Sequence, residues 1–351
     1  MVVLVHLDTD LGGDIDDACA LAFLLGQPQA ELAGVTTVTD QDGRRAGYVR
    51  HCLDLAGRDG IPVIAGAVLS MTTLRTAEPV IADDRYWPSG LPCCPSPPGA
   101  ALDLLASSIE RGATVIAIGP LTNLALLEIA RPGSLRQARV VAAAGWTGLG
   151  DGLPAWGPEM DFNVQWDTRA AEIVAATASL TLVPLPVTLR AQFRAAHLPR
   201  LRAAGPLGRL LARQGQAHGH DYGMNQMGRA HPALPDDLLN FQYDPLACAV
   251  ALHWPGVTVE EAHLQLALDG DLAMFQPAPG GRPMPIVTDL DPDGFAEHWL
   301  TSVEASQPQA RCPRRGLQAA DPGSGRLINT RACWQPLPDC CSSRNTSRSN
   351  E

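Results

Sequence analysis

The chain has 351 residues, with 26 basic and 37 acidic groups and a formal net charge of −11, and every basic group is an arginine. The absence of lysine excludes P-loop phosphate binding and Schiff-base chemistry, and an acidic chain makes a poor partner for nucleic acid. Apolar residues make up 46% and charged residues 18%, a globular composition, and no apolar run approaches the ~18 residues that a membrane span needs.

The chain opens with a continuous apolar, β-branched run over 2–7, the pattern of a strand buried on both faces. That run lacks the basic start of a signal peptide and reaches Asp8 too soon to be one. A helix is expected over 16–25, a strand over 32–38, a helix over 44–56 and a strand over 61–64. The alternation continues with helix 100–111, strand 114–118, helix 121–130, strand 139–144, helix 168–176 and strand 180–184. Such βαβ repetition predicts an α/β fold with a mostly parallel central sheet, helices on both faces and right-handed crossovers. Ligands then bind beyond the carboxyl ends of the strands, at a switch in strand order. A helical stretch over 198–217 precedes an irregular segment over 218–239 rich in His, Gly, Met and Asp. Helix 244–254, strand 257–268, a short strand at 285–287 and helix 292–305 complete a domain spanning 1–306. From 307 the composition shifts to Pro, Arg, Ser, Gly and Cys, which reads as a disordered extension over 307–351.

The nine cysteines contain no CxxC pair, which disfavours a zinc site and makes a reducing, cytoplasmic location the default. Cys19, Cys52 and Cys248 fall in apolar helical patterns and are expected as buried thiols. His6, on the first strand, is expected as a packed core histidine. Arg44 and Arg45 are expected on a solvated helix face.

The most informative segment runs from Asp8 to Asp17, where Asp8, Asp10, Asp14, Asp16 and Asp17 follow a buried strand and open a helix. Asp8 and Asp10 share a strand face, Gly12 and Gly13 permit a tight turn, and Asp16 and Asp17 occupy the first helical turn. Helix capping accounts for Asp16 or Asp17 alone but not for two more carboxylates at the strand terminus. Converging carboxylates repel one another, and a hard cation such as Ca²⁺, which takes six to eight oxygen ligands, relieves that repulsion. An EF-hand loop starting at Asp8 fails because its twelfth position is Cys19 and a strand precedes it. An aspartic protease would need Asp-Thr-Gly where this chain has Asp8-Thr9-Asp10. A haloacid-dehalogenase phosphatase would use Asp8 as nucleophile, and its usual lysine is missing.

The pattern resembles the nucleoside hydrolases, best known in their inosine-uridine-preferring type. Asp8-Thr9-Asp10…Asp16-Asp17 is similar to that family's opening Asp-x-Asp…Asp-Asp loop, here with two extra residues. Gly119-Pro120-Leu121-Thr122-Asn123, Met160-Asp161-Phe162-Asn163 followed by Asp167, and Tyr243-Asp244-Pro245-Leu246-Ala247 match three further stretches in order. The resemblance spans residues 3–305. It implies a Rossmann-like open α/β fold and Ca²⁺-dependent hydrolysis of the N-glycosidic bond of a ribonucleoside to free base and ribose. Partners would be the small-molecule substrate and other copies of the chain, in a homodimer or homotetramer, with no nucleic acid and no membrane.

Residue by residue, the resemblance assigns Ca²⁺ to Asp10, Asp17, the Ile118 carbonyl and Asp244. Asp16 would hold a ribose hydroxyl and Asn163 another, and Asp10 would also be the general base toward a metal-bound water. Asp161 stands where the family usually has Glu. Asp40 or Gln41 must replace an Asn on the ribose, and Ala155 replaces another Asn, beside Trp156, a candidate for stacking on the base. The histidine that protonates the departing base in some members is Tyr243 here. Help for the departing base must therefore come from Tyr243, from the Gln216–Tyr222 segment with His220, from nearby His231, or from Trp156 by stacking on a purine. Trp146, Trp87 and Tyr86 lie in loops able to close over a base, although packing is the simpler role for each. Alternatives are an N-ribosyl hydrolase with a non-standard aglycone, a catalytically weak ribose- or nucleoside-binding protein, and a phosphatase acting through Asp8.

Overall fold

The computed structural model of the chain describes residues 2–77, 83–148 and 150–308. The first part of the chain alternates as β1 Val3–Thr9, α1 Asp16–Gly26, β2 Ala30–Thr37, α2 Arg44–Leu55, β3 Val63–Ala65, α3 Ala100–Glu110, β4 Thr114–Ala117, α4 Thr122–Ala130 and β5 Arg139–Ala143. It continues as α5 Phe162–Trp166, α6 Thr168–Thr177, β6 Ser179–Val183, α7 Leu185–Thr188, β7 Gln192–Arg194, α8 Leu198–Ala203, α9 Gly205–Asp221 and α10 Met224–Ala230. The last elements are β8 Leu238–Phe241, α11 Tyr243–Ala251, β9 Val257–Asp269, β10 Leu272–Pro277, β11 Arg282–Leu290 and α12 Pro292–Ala305.

Nine strands form one sheet in the order β10-β9-β11-β6-β5-β4-β1-β2-β3. The run from β11 to β3 pairs in parallel, and β9 is antiparallel to both of its neighbours, β10 and β11. This is the expected mostly parallel α/β architecture. Successive residues of the central strands feed opposite cores, as period-2 geometry requires. Ile116, Val141 and Ala143 pack with α1, α2, α9, α11 and α12. Val115, Ala117, Val140 and Ala142 pack with α3, α4 and α6 on the other face. Both faces are therefore covered, which is why the strands read as unbroken apolar runs. The chain leaves β1 toward β2 and β3 on one side and returns to β4 on the other, so the switch in strand order lies between β1 and β4.

Two expectations are corrected. The segment 218–239 is not irregular throughout, because α9 runs on to Asp221 and α10 follows a left-handed Gly223. Strand β10 was missed. It pairs with β9 from Asp269↔Leu272 around Gly270-Asp271, and that Gly-Asp dipeptide, with glycine at the first turn position, was the available hairpin signal. The expected extension over 307–351 lies, from residue 309 onward, outside the described residues.

Candidate active site

The carboxyl ends of β1, β4, β5 and β6 open onto a cavity of about 390 Å³. Asp10, Asp14, Asp16, Asp17, Asp161 and Asp244 line it together with Arg45, Asn163, Trp156, Trp166 and Tyr243. Local sequence explains how these side chains arrive. Gly12 takes φ +115°, a left-handed turn that brings the chain from β1 into α1. Thr9 bonds to Asp17 through its hydroxyl and accepts the Leu11 amide at 3.1 Å, tying helix start to strand end. Gly119 sits so close that a Cβ there would lie 2.8 Å from Asp10 Oδ1. Pro245 follows Asp244 in the first turn of α11, which carries Asp244 to the same place from the far end of the chain.

Carboxylate oxygens of Asp16, Asp17 and Asp244 lie within 4.8 Å of one another, and all three residues are buried. Burial pushes each of them well above the ordinary carboxylate range, and their mutual repulsion adds to the shift. Half-buried Asp10 is also pushed up by burial, with Arg45 pulling it back. Desolvating a single ion costs several kcal/mol even after relaxation, so such a cluster calls for protons or a cation. An all-oxygen, all-carboxylate donor set suits a hard divalent ion.

The other expected residues divide. Asn163 lines the cavity and donates through Nδ2 to the Ala143 carbonyl at 2.9 Å and the Ile118 carbonyl at 3.2 Å. Trp156 and Tyr243 line it too, each packed on Phe241. Burial, followed by Asp14, Asp16 and Asp244, holds the Tyr243 phenol well above its ordinary range. Asp161 accepts the Gly145 amide at 2.7 Å and caps α5, and burial raises it to about 6.

Asp40 and Gln41 do not reach the cavity. Asp40 is buried with its oxygens taken by Thr37 and by the Arg45 and Ala46 amides in the first turn of α2, and Gln41 is exposed in the turn before it. His220 does not reach it either, since its side chain is 86% exposed and pairs with Asp221 at 3.0 Å. His231 bonds to the Met227 carbonyl instead. Trp87 is buried in a stack on Tyr48, ring centres 4.3 Å apart. Asp8 is fully buried beneath Thr36 and Asn123 and raised to about 7 by burial. It does not line the cavity, so a covalent phosphatase would have no accessible nucleophile.

Arg45 overturns the expected solvated helix face. It is 3% exposed and lines the cavity, donating from Nη1 to the Asp10 carbonyl and from Nε to the Thr39 carbonyl at 3.1 Å. Helical spacing could not separate it from Arg44, which is exposed one residue earlier. Trp166 of the lining carried no expectation, and Met160 and Phe162, although part of the Met160–Asn163 stretch, were given no role of their own. His6 and the three helical cysteines are buried as expected.

An acidic cleft at the switch point of an open α/β sheet, closed on its other walls by aromatic and aliphatic side chains, defines a small-molecule enzyme site. The inosine-uridine preferring nucleoside hydrolase family model matches residues 5–297, and the chain belongs to that family. The pyrimidine-specific ribonucleoside hydrolases RihA of Salmonella schwarzengrund (strain CVM19633) and Salmonella agona (strain SL483) are each 34% identical over 227 residues, 60% of this chain and 70% of theirs. The plant nucleoside hydrolase PpNRh1 superposes with a TM-score of 0.70 at 22% identity, over 87% of this chain and all of its own. A purine-preferring ribonucleoside hydrolase from Gardnerella vaginalis gives 0.68 at 22% identity, over 86% and 98%. The chain is thus a hydrolase acting on N-glycosyl compounds. No helix among the described residues is long and apolar enough to cross a membrane.

Proposed function

We propose that the chain hydrolyses ribonucleosides to free base and ribose in this cavity, with Ca²⁺ held by Asp10, Asp17, Asp244 and the Ile118 carbonyl. The observation that carries this reading is the meeting of Asp16 and Asp17 with Asp244, more than 220 residues away in sequence, in one buried cluster. Such an ion supplies Lewis acidity toward water and a grip on a sugar diol. The other parts of the chemistry belong to the chain. Asp16, packed against Asp17 and Asp244, accepts from a ribose hydroxyl. Asn163 has both amide hydrogens directed at strand-end carbonyls, which leaves Oδ1 to accept from a second hydroxyl. Asp10 takes the proton of the attacking water, a role worth about 10²–10⁴-fold. The positive charge that develops on the ribose ring faces a wall of carboxylates. Losing the 2′-hydroxyl would strand Asp16 without a donor, which selects ribose over deoxyribose.

The test is base release from inosine, uridine and their 2′-deoxy forms, with and without a chelator. Turnover of the ribosides that a chelator abolishes and Ca²⁺ restores is expected, together with a loss of at least about 10²-fold in Asp10→Ala. Chelator-resistant turnover, or full activity in Asp10→Ala, refutes the assignment.

A further inference from the structure

Breaking an N-glycosidic bond leaves an electron pair on the base, and a poor leaving group departs only as a proton meets that pair. Tyr243 occupies the position where the resemblance expects a histidine. Its ring lines the cavity and packs on Phe241. A different part of the cavity wall is arranged for the transfer. Asp14 lies in the lengthened loop between β1 and α1 and lines the cavity with Tyr243. Its Oδ1 accepts the Ile15 amide at 2.5 Å and Asn240 Nδ2 at 2.7 Å. His218 Nε2 stands 3.5 Å from the same oxygen. The Asp14 side chain is 40% exposed, whereas that of His218 is 7% exposed.

The His218 ring is fixed from behind. Nδ1 lies 2.9 Å from the Leu239 carbonyl, and the ring stacks on Tyr222 with centres 4.4 Å apart. A carbonyl can only accept, so Nδ1 carries its hydrogen and Nε2 is the atom turned to Asp14. A bare imidazole lone pair against a carboxylate oxygen is repulsive, and one proton held between them makes the approach attractive. The geometry thus sets a carboxyl group and an imidazole side by side at the wall of the cavity, where the two can share one proton.

We propose that Asp14 is the catalytic residue that delivers this proton to the departing base, with His218 as its positioning partner. The assignment rests on a ribonucleoside occupying this cavity. The C1′–N bond breaks, its electron pair goes to the base, and the proton of the Asp14–His218 pair moves to the base atom that receives the charge. Water adds to C1′ through its oxygen and gives its spare proton to Asp10. Asp10 then loses a proton to solvent and the pair regains one, so nucleoside and water become base and ribose with no further reactant.

The test compares Asp14→Asn and His218→Gln with the unmodified protein, supplied with Ca²⁺, on inosine, uridine and p-nitrophenyl riboside. Nitrophenolate leaves without needing a proton. Asn keeps an Oδ1 acceptor for Ile15 and Asn240, so the loop retains its bonds. Both variants are expected to lose about 10²-fold in kcat on the nucleosides and to keep nitrophenyl riboside turnover within roughly threefold. Equal losses on all three substrates would mark a structural role and overturn the proposal, as would unimpaired nucleoside turnover. If the unmodified protein cleaved none of the three, the nucleoside reading itself would fall and the proposal with it.

Discussion

Arg45 shows what a single side chain is worth here. Six carboxyl groups and one guanidinium line the cavity, and that guanidinium ties the Asp10 and Thr39 carbonyls together. A solvated arginine would change stability by no more than about 0.5 kcal/mol when truncated, whereas removing one partner from a buried charged network costs about 3–5 kcal/mol. Arg45→Ala is expected in the second range by urea unfolding, and Arg44→Ala in the first. His6 makes a prediction about pH. It is fully buried between Ser108 Oγ and Thr36 Oγ1, 2.9 Å from each, and burial lowers it to about 3. The unfolded chain takes up a proton there near 6.5 and the folded chain does not, so the stability that neutral His6 provides is full above about 6.5 and is lost as pH falls toward 3. The stability advantage of the unmodified protein over His6→Asn should therefore shrink between pH 7.5 and pH 5. An advantage that grew on acidification would show His6 charged in the fold.

The strand ends do the positioning. Asp10 leaves β1 at the point where Ile118 and Gly119 follow the end of β4, and the two chain segments touch because Gly119 has no side chain. Its Cβ would lie 2.8 Å from both Asp10 Oδ1 and Val38 Cγ1. Overpacking of this kind costs about 1–3 kcal/mol. Gly119→Ala is expected to lower the melting temperature and, by displacing Asp10, to lower turnover more than KM rises. An unchanged kcat would mean that Asp10 tolerates displacement and is not the base. The same scale explains what the strand and helix patterns did and did not reveal. β1, β4 and β5 were legible because both faces of a central parallel strand are apolar. The edge strand β10 was not, because one partner strand and a turn leave only a weak alternation in its sequence.

At the scale of the molecule, the sheet brings residues 16, 17 and 244 into one cluster, and this makes folding and ion binding a single equilibrium. A ligand held only by the folded state stabilises it by about 2.7 kcal/mol at a hundred times its dissociation constant. Ca²⁺ is expected to raise the melting temperature of the unmodified protein by several degrees. In Asp244→Asn the shift should vanish, while the melting temperature without the ion stays level or rises as one repelling charge is lost. A shift that survives in Asp244→Asn would place the ion elsewhere.

Local pattern alone determined the α/β class, most strand and helix positions, the family resemblance and the carboxylates from Asp8 to Asp17, because periodicity and motif order are written in neighbouring residues. Only the tertiary structure could separate Arg45 from Arg44, withdraw Asp40, Gln41 and His220 from the cavity, and set His218 behind Asp14. Those outcomes depend on which face of a helix the sheet covers and on which distant loops meet. Burial and proximity arise from packing across the whole chain, and no local stretch of sequence encodes them.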